Sequence, residues 1–153
     1  MLTIGRESPL APDLALLMQR HTAAMHADTP PESIHMLDAA ALAGPDISFH
    51  VMREHGHPVG MGAYKRIDPD HAEIKSMHIL IECRGKGLAR RLLDHLIAEA
   101  RAEGIHRLSL ETGAQDAFAP ARNLYAAAGF VVCDPFAGYV PDPNSVFMTL
   151  GPS

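Results

Sequence analysis

The sequence predicts an α+β fold, a mixed and mostly antiparallel sheet of about seven strands flanked by about four helices. Three observations carry that expectation. Strand-like runs follow one another from Ile47 to Ile81 with only short turns between them. A strongly amphipathic stretch, Gly87 to Glu103, stands between two strand-like runs and reads as the helix of a βαβ unit. A further helix, Ala119 to Ala128, is followed by two more short strands. At 153 residues the chain suits one domain with one core, residues 1–153.

In chain order, Thr3 to Arg6 forms a short first strand. Ser8 to Ala27 reads as a helix, because Leu14, Leu17, Met18, His21 and Met25 recur at helical spacing and the prolines at 9 and 12 fit only near its start. Thr29-Pro30-Pro31-Glu32-Ser33 is a rigid loop. Met36 to Leu42 is a short helix that Gly44-Pro45 stops. Ile47 to Met52, Val59 to Ile67 and His71 to Ile81 then form an antiparallel meander, with Gly60 and Gly62 permitting close packing. In the next helix Leu88, Leu92, Leu96, Ile97 and Ala100 make one apolar face, and Gly104 ends it. Arg107 to Glu111 is a short strand parallel to the one before that helix. Gly129 stops the helix that starts at Ala119, and Phe130–Val132 and Ser145–Leu150 supply the last strands.

Composition excludes several classes of function. The formal net charge is -5, and no run of Lys or Arg offsets it, which argues against a broad nucleic-acid surface. A local basic patch remains at Arg84, Lys86, Arg90 and Arg91. No segment approaches a membrane span, and Met1 to Arg6 lacks the basic-then-apolar build of a signal peptide. Cys83 and Cys133 have no metal-ligand spacing, so a reducing, cytoplasmic setting is the simpler expectation. The ten histidines form no helical His-x-x-x-His pair and no HExxH motif, and no metal site is expected.

The chemistry concentrates where a strand runs into Arg84-Gly85-Lys86-Gly87-Leu88-Ala89 and then into a helix. Glycines permit backbone conformations and close approaches denied to larger residues. The first helical turn leaves N–H groups unpaired, and the helix dipole adds partial positive charge there, so the spot suits a phosphate or pyrophosphate. It is neither a Walker A motif nor the GxGxxG pattern, because Gly85-Lys86-Gly87 is followed by Leu88-Ala89-Arg90. Taken alone, the segment also fits a tight turn whose Arg and Lys are merely solvated.

Further segments make the assignment more specific. Arg84-x-x-Gly87-x-Ala89 resembles the Q/R-x-x-G-x-G/A motif of the GNAT acyltransferases. Ala72-Glu73-Ile74 before it, Leu110-Glu111-Thr112-Gly113 after it, and Leu124-Tyr125 with Gly129-Phe130 match the family in the same order, from Val59 to Phe130. Phe136-Ala137-Gly138-Tyr139 and Asp142 to Met148 resemble a bacterial subgroup of small acetyltransferases. The resemblance implies acetyl-CoA as co-substrate and a small-molecule or peptide amine as acceptor, with at most a homodimer as further partner. It implies that backbone groups of Met77, His78 and Ile79 pair with the pantetheine arm. Gly85, Lys86, Gly87, Leu88, Ala89 and Arg90, entered through Arg84, would wrap the pyrophosphate. The helix position that often carries an Asn in the family is Phe118 here.

Amine acetylation needs a neutral amine. An alkylamine with a pKa near 10.4 is neutral in only about one part in a few thousand at pH 7, roughly 4–5 kcal/mol uphill. A general base relieves that cost. The resemblance puts Glu73 first as the base and Glu111 second, with a surface or structural carboxylate as the plain alternative for each. Tyr125 is implied as the proton donor to the leaving thiolate, and a backbone N–H near Ile79 as the oxyanion donor. A covalent route through Cys83 has no base motif behind it, and His78 reads first as a packed histidine. The loops Thr29–Ser33 and Pro135–Asn144 are expected to shape the acceptor pocket. A non-catalytic acyl-CoA sensor and an ATP-reading regulatory domain are the alternative functions.

Overall fold

Antiparallel pairing builds the first half of the chain into one side of a single sheet, and one parallel crossover adds the second half to that sheet. The computed structural model describes residues 1–152. Strands β1 (Leu2–Arg6), β2 (Ile47–Glu54), β3 (His57–Asp68) and β4 (His71–Ile79) pair antiparallel in sequence order. Between β1 and β2 lie helices α1 (Ala15–Asp28) and α2 (Ala39–Leu42). Helix α3 (Leu88–Ala102) then crosses to β5 (Arg107–Gly113), which lies parallel to β4. Helix α4 (Ala119–Ala127) leads to β6 (Val131–Val132) and β7 (Ser145–Leu150), and the sheet order is β1-β2-β3-β4-β5-β7-β6. The predicted seven strands, four helices, meander and parallel crossover are all present. No helix among the described residues is long and apolar enough to cross a membrane.

Boundaries moved where local chemistry overrode periodicity. The first helix begins at Ala15 rather than Ser8, because Ala11, just before Pro12, is extended and Pro12–Leu14 form a 3-10 turn. The short second helix covers only Ala39–Leu42; Asp38 caps it by accepting the Ala41 N–H at 2.8 Å, which leaves Met36 and Leu37 outside. Strand β4 stops at Ile79, two residues early, at a 3-10 turn over Ile81–Cys83.

The core has one cluster on each face of the sheet. On one face Leu88, Leu92, Leu93 and Leu96 of α3 pack with Ile74, Leu108, Leu110, Tyr125 and Met148. On the other Leu14, Leu17 and Leu42 cover Phe49, Val51, Met61 and Leu80. Cys83, implied by nothing but proximity as a nucleophile, is half-buried and packs against both clusters. Gly62 lets α3 lie against the sheet: a Cβ there would meet Leu96 Cδ1 and Met77 Sδ, each at 2.9 Å.

Burial also leaves uncharged histidines inside. His50 on β2 is 3% exposed and sits 3.0 Å from His95 of α3. Burial lowers the pKa values of His21, His50 and His78 to about 4. An unfolded histidine titrates near 6.5, so between about pH 6.5 and 4 the unfolded chain binds more protons. Stability is therefore expected to be intact above pH 6.5 and to fall as pH drops toward 4. Thermal melts from pH 7.5 to 4.5 check this, and His50→Gln should make the decline shallower by about one proton's share. A flat profile across that window would refute the burial account.

Candidate active site

Strands β4 and β5 pair only through His71↔Arg107, Ala72↔Leu108 and Glu73↔Ser109, and then part. The cause lies on the other edge of β4. There Ser76 and Met77 together face Gly62 of β3 in a bulge, and Ser76 takes a positive φ of 58°. An extra residue bends and twists the strand that carries it. Beyond Glu73 the β5-facing backbone of β4 has no strand partner, and an extended polar chain can bond to it as a strand would. The gap opens into a cavity of about 580 Å³. Residues 74–79 form one wall, and Glu111, Thr112, Gly113, Phe118 and Tyr125 the other.

At one end the cavity meets the glycine turn, where Arg84 and Ala89 line it. The Arg84 side chain folds back, its Nε donating to the Ile79 carbonyl at 2.9 Å. Gly85 and Gly87 have φ of 81° and 75°, a region that costs other residues about 1–2 kcal/mol. A Cβ on either would meet nothing within 4 Å, so what glycine supplies here is conformation, and the space outside is open. The first backbone bond of α3 runs from Arg91 N–H to the Gly87 carbonyl at 3.2 Å, and no side chain caps the helix. The amides of Leu88, Ala89 and Arg90 thus point outward at the positive end of a 15-residue helix. Lys86 is exposed beside them, Arg90 is tied to Asp94 at 2.9 Å, and the Leu88 side chain belongs to the core. The arrangement fits a pyrophosphate. Ser76, which lines the gap, has a buried Oγ with no partner among the described residues, a position that suits an amide of the pantetheine arm.

Several titratable groups line or adjoin the cavity. Tyr125 comes off α4 into the cavity wall, is 7% exposed, and lies edge-on to Phe130 at 5.8 Å. Burial pushes its pKa up to about 12, so the phenol keeps its proton at every physiological pH. Glu111 lines the cavity, and burial raises its carboxyl pKa, with Lys75 and His35 partly opposing. Glu73 does not line it. That carboxylate is 5% exposed and is taken by the Tyr139 hydroxyl, which donates to Oε2 at 2.6 Å, and by Lys75 Nζ at 3.2 Å. His78 lines the cavity next to His21, with ring centroids 5.3 Å apart, and both rings are uncharged at neutral pH.

Of the residues singled out from sequence, Met77, His78, Ile79, Arg84, Ala89, Glu111 and Tyr125 converge on one cavity. Gly85, Lys86, Gly87, Leu88 and Arg90 form the turn at its mouth. Lys75, Tyr139 and His35 were missed. Lys75 was readable, since it sits two residues from Glu73 and shares its face of the strand. Tyr139 and His35 were not, because 66 residues separate Tyr139 from Glu73 and only the fold brings them together. His35 lies edge-on to Tyr139 at 5.0 Å. The two loops expected at the acceptor end are joined: Ser33 Oγ donates to Asp142 Oδ2 at 2.6 Å.

The family model described as the acetyltransferase (GNAT) family matches residues 14–130. An uncharacterized N-acetyltransferase of Bacillus subtilis strain 168, YsnE, is 48% identical over 133 residues, covering 87% of this chain and 88% of its own. An IAA acetyltransferase of Azospirillum brasilense is 42% identical, with 96% and 95% covered. Among solved structures, a candidate acyl-CoA N-acyltransferase from Klebsiella pneumoniae superposes with a TM-score of 0.81 at 29% identity, covering 100% of this chain and 99% of that one. Other structures of this fold hold CoA or acetyl-CoA.

Proposed function

The chain belongs to the GNAT acetyltransferase family, and from that premise we propose that it moves the acetyl group of acetyl-CoA directly to a primary amine of a small molecule, both substrates being bound together. One observation carries the reading. A single cavity runs from the unpaired amides of α3, past the unpartnered edge of β4, to a tyrosine and a half-buried carboxylate. The amides hold the pyrophosphate, the strand edge aligns the thioester, and the far end receives the amine. Direct attack needs no enzyme nucleophile, in keeping with Cys83 being packed into the core.

Glu111 is the base in this scheme, in preference to Glu73. Both are shielded, but the Glu73 carboxylate already accepts from Tyr139 and Lys75 and does not line the cavity. Glu111 faces the cavity with a raised pKa, which brings its basicity closer to working pH. Tyr125, on the same wall of the gap as Glu111, donates to the departing thiolate.

Glu111→Gln separates the two carboxylates. The amide keeps the size but takes no proton, so kcat is expected to fall about a hundredfold near pH 7 and to recover as pH rises toward the pKa of the amine. Glu73→Gln should lower kcat without that alkaline recovery. The measurement is kcat against pH for both variants with one good amine. Recovery in Glu73→Gln and none in Glu111→Gln would return the role to Glu73. Loss of all turnover across a broad amine panel, with CoA binding kept in the unaltered protein, would favour a sensor instead.

A further inference from the structure

We propose that the acceptor is a free amino acid or an equally compact zwitterion, its ammonium directed to Glu111 and its carboxylate received by Lys75. The inference rests on the acetyltransfer reading above and narrows its acceptor. Strands β4 and β5 are parallel and last in register at Glu73↔Ser109. Two residues further along each strand, Lys75 and Glu111 lie on the same face of the sheet, one on each wall of the gap, and both line the cavity. They do not pair with each other. Lys75 Nζ instead bonds Glu73 Oε2 and Tyr139 Oη, each at 3.2 Å.

That leaves an ammonium with three N–H donors and two acceptors. Its side chain is 10% exposed and is clamped between β4 and the loop that carries Tyr139. The third donor has no acceptor among the described residues. A charge-assisted bond to a ligand oxygen is the strong kind, and here the lysine is already held in place to make it. A simple monoamine engages Glu111 alone and leaves this donor unmet. A diamine brings a second cation toward Lys75, and a peptide N-terminus offers a neutral carbonyl where a carboxylate fits better. An α-amino carboxylate meets both walls at once. The rest of the cavity lining includes the apolar Met25 and Met36, which suits a side chain of modest size, together with the uncharged His21 and the exposed Asp28.

The test compares amino acids with their own decarboxylated amines, such as phenylalanine with phenethylamine and methionine with 3-(methylthio)propylamine. Binding is measured by titration calorimetry on the full chain saturated with CoA. At least one amino acid should bind tenfold or more tighter than its amine, on the order of one charge-assisted hydrogen bond. Lys75→Met should erase that advantage while leaving the affinity for the amine within about threefold. Glu73→Gln/Lys75→Met, which removes both charges, gives the same readout if the single variant fails to fold. The proposal is overturned if no amino acid binds better than its amine, or if the preference survives the loss of Lys75. Binding needs no turnover, so a carboxylate preference without acetylation would sink the acetyltransfer reading, and with it the acceptor role, while the zwitterion site itself would stand. Acetylation of decarboxylated amines alone would do the reverse.

Discussion

Gly87→Glu is expected to weaken CoA binding by at least about a hundredfold while the fold survives. Gly87 is the residue from which α3 starts, at φ of 75°, and three unpaired amides follow it. Hydrogen bonds from such donors to a charged group are worth about 1.5–3 kcal/mol each, and a tenfold change in affinity is 1.4 kcal/mol. A carboxylate planted beside them competes for the same donors and repels the pyrophosphate. Nothing in the protein lies within 4 Å of the new Cβ, so the cost to the fold is limited to about 1–2 kcal/mol of left-handed strain. Calorimetric titration with CoA and a melt without it give the two numbers. Normal CoA affinity in a folded variant would take the turn out of the site.

Tyr125→Phe should act on chemistry alone. The KM for acetyl-CoA is expected to stay within about threefold, while kcat falls between tenfold and a thousandfold. The ring fills the same space against Phe130, and only the hydroxyl is lost. Because burial holds the phenol's pKa near 12, the wild-type rate should show no loss of this acid up to about pH 10. Single-turnover measurements at saturating donor would isolate the step. Undiminished kcat in the variant would make Tyr125 a packing residue.

The glycine-turn end of this cavity was written in local sequence. Glycines at 85 and 87, a strand before them and an apolar helical face after them are neighbours in the chain, and their consequences are local. Flanking motifs singled out Tyr125 and Glu111, and both line the cavity. The bulge was not, because Ser76 takes its left-handed conformation without a glycine to announce it. Nor was the fate of Glu73. Its position on the strand resembles that of a base in the family, but the Tyr139 hydroxyl that occupies it arrives from a loop 66 residues later. Periodicity placed the helices and misjudged their starts wherever Pro12 or the Asp38 cap set the first turn.

The parting of β4 and β5 has a consequence for the protein as a physical object. The sheet's two halves, β1 to β4 and β5 to β7, share three rungs of backbone pairing at their seam. Elsewhere they are coupled through α3 and the side chains beneath it. In the proposed binding mode a donor lying along the open edge would add rungs where the polypeptide has none, and it would bind only the folded form. By mass action each tenfold rise in free donor above its dissociation constant adds about 1.4 kcal/mol to the folding equilibrium. The resistance of this protein to heat and proteolysis is therefore partly a property of the solution it is in. When acyl-CoA runs low, the enzyme is idle and its seam is also at its weakest.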